Sequence, residues 1–548
     1  MAVIISGDGL TIADIHAVAH GAKVEITKDE AVLDRVRGSY QRLAEKVSRG
    51  EQIYGVNTLF GALADQYIRP DQISELQRLA VWQHKSTTGP RLPATDVRAA
   101  MLLRANSLLK GVSAIRLEII ERLATFLNAG AHPHMYQRGS IGASGDLVPL
   151  SYIAGSILGL DPSFMVDMDG ETLDSQTALA KLGLAPLPME AKEGLALNNG
   201  TGASTGVAAN CLARASNAMV LGIGVHALFA QAMLATDQSF KPFIHELKPH
   251  PGQVWTAAEM ASLLEGSALI RSEDKGDRSG RPVKLIQDRY GLRCLPQYLG
   301  PVVDALKMAT GQVTQEANCA NDNPLVDPAT GEIYHTGNFL AQYTGIAMDS
   351  VRYQLGLIAK HIDSQIGLLM TPEFSGLNPS LIGNMDSGMN VGLKSLQVGG
   401  NQMMPLLLFY GNSVVDRYPT HAEQYNQNIN SQAMNASNLT RDALDVMEHY
   451  LALSFIIGVQ AVELRSKLVA DTYDAREVLS PATAALYETV RTLAIGAPSA
   501  EKPLIWEDLD VLIQPMVEAV LDDIGGGGKI IEAMGSTRKA FARFAGLS

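Results

Sequence analysis

Residues 339–370 read FLAQYTGIAMDSVRYQLGLIAKHIDSQIGLLM. No proline interrupts the stretch and its apolar residues recur at helical spacing, which predicts one helix over Phe339–Met370. A helix of that length suits a bundle better than a compact α/β domain. Similar patterns stand at Ser204–Ala235, Pro301–Asn318 and Ala433–Leu468, with a shorter apolar run at Asn401–Phe409. Together they predict an all-α central bundle over residues 201–470. The preceding 1–200 are irregular: a strand-like VIISG, a helix from about Asp29 to Arg49, a Gly-rich turn at YGVNTLFG, and helices near Thr95–Leu109 and Ala114–Asn128. Residues 471–548 read as a mixed helical tail.

The chain has 548 residues, 46% hydrophobic and 18% charged, so it can bury a large core; length alone predicts roughly two to four domains. A formal charge of −13, with Lys and Arg scattered, argues against a nucleic-acid or anionic-membrane partner. Cys211, Cys294 and Cys319 share no metal or redox spacing, and so few thiols fit a reducing cytoplasm. The opening MAVIISGDGLTIAD lacks the basic start and long apolar core of a secretory signal, so a cytoplasmic protein is expected. Between Arg214 and Asp237, NAMVLGIGVHALFAQAMLA is long enough to span a bilayer. It carries Asn217, His226 and Gln231 and lacks flanking anchors, which predicts a helix buried on all sides of a bundle instead.

Several common motifs fail. GGGGK at 525–529 has no preceding strand and no phosphate-loop spacing, so a helix stop and turn is expected. No G-x-G-x-x-G opens a helix after a strand, which removes a dinucleotide fold. His132-Pro133-His134 has no acidic or cysteine partner at a usual interval; a surface turn is expected there, a proline-rich loop around His245 and His250, and no metal.

What remains is polar. GSIGASGDLVPLSYIAG (139–155) puts three small residues before an acid and an apolar run. Its plain reading is a loop ending in a helix cap, with Ser144 or Asp146 as N-cap, Leu147 opening the helix and Pro149 in its first turn. Small residues in a row also let the backbone bend sharply or let a group approach it closely. Polar clusters recur at YGVNT (54–58), LNNGT (197–201), DRYGLRC (288–294), ANDNPLVD (320–327), HTGNF (335–339), LKSLQ (393–397) and HAEQYNQNIN (421–430). Each alone reads as a cap, a turn or a solvated face. Their number, beside apolar helices, predicts one or more polar sites, because buried polar groups are costly unless paired.

In their order IYGVNTLFG, GSIGASGDL, EGLALNNGT, RYGLRCLPQ, NDNPLVD, GNFLAQY and PTHAEQYNQNINSQ, these motifs resemble the aromatic amino-acid ammonia-lyases and aminomutases of the histidine ammonia-lyase superfamily. The resemblance covers nearly the whole chain and points to the bacterial phenylalanine/tyrosine ammonia-lyase branch. It implies an all-α, fumarase/aspartase-like bundle behind an irregular N-terminal domain that carries a cofactor loop. It also implies a cofactor made from the chain itself, 4-methylidene-imidazol-5-one (MIO), formed autocatalytically from Ala143-Ser144-Gly145. The Gly145 nitrogen would attack the Ala143 carbonyl carbon, and two waters would leave. The residue types suit this: Gly145 has no side chain to block its nitrogen, Ala143 permits a tight approach, and Ser144 loses its hydroxyl to give an exocyclic methylene. Such an electrophile needs neither metal nor pyridoxal phosphate.

The resemblance assigns further roles. Tyr54 is similar to the lid tyrosine that takes the substrate β-proton, a task for which a phenol titrating near ~10 needs local help. Arg293 matches the arginine that grips the carboxylate with its planar fork. Tyr290, Asn199 and Asn323 match polar residues around the cofactor and substrate, and Gln287, Phe339 and Gln427 match residues that line or orient the site. Lys394 and Glu423 match a positive and a negative group near the amine. Family sites combine residues from three subunits of a homotetramer, which implies shared active sites here.

Two positions depart from the pattern. The pair that meets the substrate ring is Gln83-His84, where phenylalanine enzymes of this type carry Phe-Leu, tyrosine enzymes His-Leu and histidine enzymes Ser-His. A polar pair implies a ring bearing a hydrogen-bonding group. Leu59 stands where these enzymes have glycine, which narrows the site beside Tyr54. The expectation is therefore an ammonia-lyase acting on a tyrosine-like substrate, with phenylalanine second. A 2,3-aminomutase is the alternative; histidine as substrate is disfavoured because Tyr425 replaces the glutamate of histidine-specific members. A catalytically silent scaffold is opposed by the intact Ala-Ser-Gly, Tyr54 and Arg293.

Overall fold

The computed structural model describes residues 2–272, 287–418 and 421–547. The helices that position the polar clusters are α1 (Ile73–Trp82), α2 (Ala94–Leu108), α3 (Leu147–Leu158), α4 (Glu193–Asn198), α5 (Gly202–Ala232), α6 (Tyr290–Arg293), α7 (Leu295–Ala317), α8 (Gln342–Met370), α9 (Lys394–Tyr410) and α10 (Ala433–Ala470). Strand structure among the described residues is confined to two- and three-stranded pieces. The all-α reading holds.

Three long helices run side by side in one direction. Thr205 and Thr344 share a 3.2 Å hydrogen bond near the starts of α5 and α8, and His226 and Gln365 share one of 2.8 Å near their ends. On α10, Ser437 donates to the Ser204 carbonyl at 3.0 Å and Arg465 to the Ala232 carbonyl at 2.8 Å. Antiparallel helices fill the spaces between. Asp96 of α2 accepts from Asn210 at 2.9 Å, and Glu316 near the end of α7 accepts from Thr201 at 2.8 Å. On α9, the Tyr410 carbonyl accepts from Arg352, while Asn401 donates to Asp363.

These contacts explain the uncharged stretch of α5, which packs against α2, α7, α8 and α10 and is buried along nearly its whole length. It is the one helix among the described residues long and apolar enough to cross a membrane, and the bundle surrounds it. Its small residues permit close approach: a Cβ on Gly206 would lie 2.8 Å from the Ala100 backbone nitrogen.

Local departures from expectation have local causes. Helix α7 starts at Leu295 rather than Pro301, with Pro296 in its first turn, where a missing N–H costs nothing, and Pro301 inside. Helix α8 starts at Gln342, because residues 337–341 form a turn closed by the Leu340 N–H to the Gly337 carbonyl. His132-Pro133 is a strand paired with Met165–Met168, not a surface turn, and His134 bonds Asp167 at 2.8 Å. His245 lies buried in a short helix, Pro242–Glu246, instead of a loop. The glycines at 525–528 end one helix, and Lys529 begins the next.

Candidate active site

The 139–146 loop is held from both sides. Gly139, Gly142 and Gly145 all take left-handed φ values. A Cβ on Gly142 would lie 2.1 Å from Ser431 Oγ, and one on Gly145 would lie 2.4 Å from the Gly200 carbonyl oxygen. Ser431 and Gln432 donate backbone N–H groups to the Gly142 and Ile141 carbonyls at 3.1 Å each. Asp146 occupies the N-cap position of α3, but its carboxylate does not cap that helix. It accepts instead from Ser140 Oγ, Ser204 Oγ and the Ser204 N–H, and so closes the first turn of α5. Burial raises its pKa while these donors oppose the rise. Gly202-Ala203-Ser204-Thr205-Gly206 has the spacing of a hydrolase nucleophile motif, yet Ser204 is buried in a helix and bonded to Asp146, with no strand before it.

The loop can take the cyclised group that the resemblance implies. Gly145 has a conformation and a contact that exclude a side chain. Ser144 Oγ, the oxygen that cyclisation would expel, accepts from Gln427 Nε2 at 3.0 Å. Next to Gly200, the buried Asn199 carries an Oδ1 with no hydrogen-bond partner, an open acceptor beside the loop.

Around this loop the structure gathers most of the predicted residues. Tyr54 is half-buried and its hydroxyl accepts the Gly61 N–H at 3.0 Å. Burial, then the Glu423 charge, raise the phenol pKa, and the Gly61 bond opposes them. Glu423 lies over Gly61, so that a Cβ there would meet its carboxylate at 2.3 Å. Glu423, Gln424 and Tyr425 form a left-handed run, φ 49°, 51° and 67°, in a turn closed by the pairing of Ala422 with Gln427. Leu59 donates its N–H to the Gln66 carbonyl at 3.0 Å and has no left-handed φ, so its backbone takes a side chain without strain. Asn323 accepts the Thr336 N–H at 2.7 Å, fixing the segment that ends in the half-buried Phe339.

The ring pair divides. Gln83, the C-cap of α1, is exposed. His84 is half-buried; its Nδ1 lies 2.6 Å from the Ala80 carbonyl, burial lowers its pKa, and Glu423 partly opposes that. Since a carbonyl only accepts, Nδ1 carries the proton and Nε2 is a bare acceptor. His335 was not singled out from the sequence, although HTGNF contains it; its ring meets Tyr54 edge-on at 6.2 Å.

The remaining predicted residues lie elsewhere. Arg293 donates to Gln287 Oε1 at 2.9 Å and stands 4.8 Å from the exposed Tyr290 ring. Their helix α6 is tied to Gln365, which in turn contacts His226. His226 is some 24 residues along α5 from the cofactor loop, a rise of about 36 Å. Lys394, at the start of the antiparallel α9, is at the same far end. One chain therefore does not bring Gln287, Tyr290, Arg293 and Lys394 to Ser144.

The family model for aromatic amino acid lyases matches residues 10–492. The chain belongs to the aromatic amino acid lyases. It is thus a carbon–nitrogen lyase of the ammonia-lyase type. It is 62% identical to an aromatic ammonia-lyase of Loktanella atrilutea, over 99% of this chain and 100% of the relative. It is 52% identical to a phenylalanine ammonia-lyase of Nostoc punctiforme, over 97% and 94% of the two chains. A solved tyrosine aminomutase of Streptomyces globisporus superposes with a TM-score of 0.87 at 29% identity, covering 98% of this lyase and 99% of that chain. The lyase shares with these relatives a family whose members generally depend on MIO.

Proposed function

We propose that this lyase eliminates ammonia from a tyrosine-like L-α-amino acid to give the trans-arylacrylate, 4-coumarate from tyrosine and cinnamate from phenylalanine. The observation that carries the substrate reading is the neutral His84 with its unpaired Nε2 acceptor, within reach of the Glu423 charge. A ring hydroxyl satisfies that acceptor, whereas a bare phenyl strands it.

MIO formed from Ala143-Ser144-Gly145 supplies the electrophile that makes the amine a leaving group. The protein does the rest. Arg293 and Tyr290 of another copy fix the carboxylate, because those of the same chain are too distant. Tyr54 removes the β-proton; its phenol is raised in the isolated chain, so the incoming guanidinium must bring it down. Glu423 holds negative charge where the ammonium departs, with Lys394 entering from another copy. Asn199, Asn323, Gln427 and Phe339 line the space, with Gln287 entering beside Arg293 from another copy. The assembly is a homotetramer with shared sites, placed in the cytoplasm.

The test is a panel of aromatic amino acids with products separated as acrylates and β-amino acids. Tyrosine should give 4-coumarate with the higher kcat/KM. Predominant β-tyrosine would identify an aminomutase, in which the acrylate is held longer under the lid. Preference for phenylalanine would favour the second reading, which the name of the Nostoc relative supports.

A further inference from the structure

The short helix α6 buries Leu292 in the core and presents Tyr290, 73% exposed, and Arg293 on its outer side. Its hydrogen-bonded tie to α8 comes through Gly291. The Gly291 carbonyl accepts from Gln365 Nε2 at 2.5 Å, and a Cβ on Gly291 would lie 3.0 Å from Ser364 Oγ. Gln365 is fully buried on α8, and its other amide atom, Oε1, faces His226 Nδ1 at 2.8 Å. This chain of bonds has only one consistent polarity. A carbonyl cannot donate, so Gln365 must point its NH2 at Gly291; Oε1 is then the acceptor, and His226 must carry its proton on Nδ1. His226 is fully buried, and among the described residues its Nε2 has no partner and Gln365 is its one side-chain hydrogen-bond partner.

We propose that Gln365 is a positioning residue for substrate carboxylate binding, with His226 locking its amide so that the N–H is always aimed at Gly291. The bond sets the height of the α6 turn on α8 and hence the direction of the Arg293 fork. This rests on the reading of Arg293 as the carboxylate ligand.

The test compares a carboxylate ligand with one that lacks it. Inhibition constants for 4-coumarate and for L-tyrosinamide, together with KM and kcat for tyrosine, are measured on tetrameric enzyme with the two-water mass deficit intact. Gln365→Met keeps length and removes the donor. It should weaken 4-coumarate and raise the tyrosine KM by about five- to tenfold, as loss of one oriented hydrogen bond predicts, while leaving tyrosinamide inhibition within twofold. Unchanged 4-coumarate binding, or equal weakening of both ligands, overturns the proposal. If Gln365→Met does not assemble, Gly291→Ala disturbs the same turn from its other side and is judged by the same criteria. Arg293→Met separates the two claims. If it leaves 4-coumarate binding unchanged, the carboxylate reading of Arg293 is wrong; if it weakens 4-coumarate while Gln365→Met does not, only the positioning role falls.

Discussion

At the scale of single residues, the small side chains of the 139–146 loop have separate reasons. Gly142 and Gly145 are required by contacts that a Cβ would violate, while Ser144 is the member whose hydroxyl is offered to Gln427. Ser144→Ala should fold, lose the two-water mass deficit and lose most activity; a mass spectrum of the intact protein checks it. Full sequence mass in an active wild-type preparation would refute self-cyclisation. His84 makes a second prediction. Replacing Gln83-His84 by Phe-Leu should shift the tyrosine-to-phenylalanine specificity ratio toward phenylalanine by about ten- to a hundredfold, from ~1–3 kcal/mol for one hydrogen bond made or stranded. Most of that shift should follow from His84→Leu alone, because Gln83 is exposed. An unchanged ratio in the double variant removes the case for a tyrosine-like ring.

At the scale of elements, buried charge and buried imidazole decide how helices meet. Lys192, at the start of α4, pairs with Asp322 at 2.5 Å, and neither is exposed. Removing one partner leaves the other charge uncompensated, so Asp322→Asn should cost about 3–5 kcal/mol in urea unfolding, while Lys192→Met with Asp322→Leu recovers part of it. Loss equal to the sum of the single variants would show that the two residues do not act as a pair. His226 and His361 lie edge to face between α5 and α8, 4.8 Å apart. Burial lowers His226 to about 4 and His361 to about 2, each below the ordinary 6.5. Between those values and 6.5 the unfolded chain binds protons that the folded chain does not. Stability is therefore full above about pH 6.5 and falls with acidification, by about 2–3 kcal/mol for each histidine near pH 4.5. His361→Phe should remove its share of that slope, and a flat unfolding midpoint from pH 7 to 4.5 would contradict the assignment.

At the scale of the whole molecule, the parallel course of α5, α8 and α10 separates the cofactor loop from Arg293 by the length of the bundle. An enzyme using both must be an oligomer in which opposite ends of different copies meet. Ser144→Ala and Arg293→Met are each expected to be inactive alone. Co-expressed in equal amounts, they should assemble into mixed tetramers with activity up to about a quarter of wild type, because independent copies supply the two ends. Absence of complementation in tetramers shown by light scattering to be mixed, or a fully active monomer, would disprove shared sites.

Sequence alone was enough for the all-α bundle, because proline-free apolar runs of helical period have few other ways to bury themselves. It also carried the Ala143-Ser144-Gly145 tripeptide and the motif order that shows the family, since those depend on residue identity at fixed spacing. Boundaries beside prolines moved, as at Leu295, because a proline is tolerated inside a helix that packing holds. Only tertiary structure decided that Asp146 closes α5 rather than α3, that His84 faces inward while Gln83 faces out, and that His335 joins Tyr54. It alone divided the predicted site into two ends about 36 Å apart. Local periodicity says that a helix forms; which way it runs beside its neighbours is set by the bonds between helices, and those join residues more than a hundred positions apart.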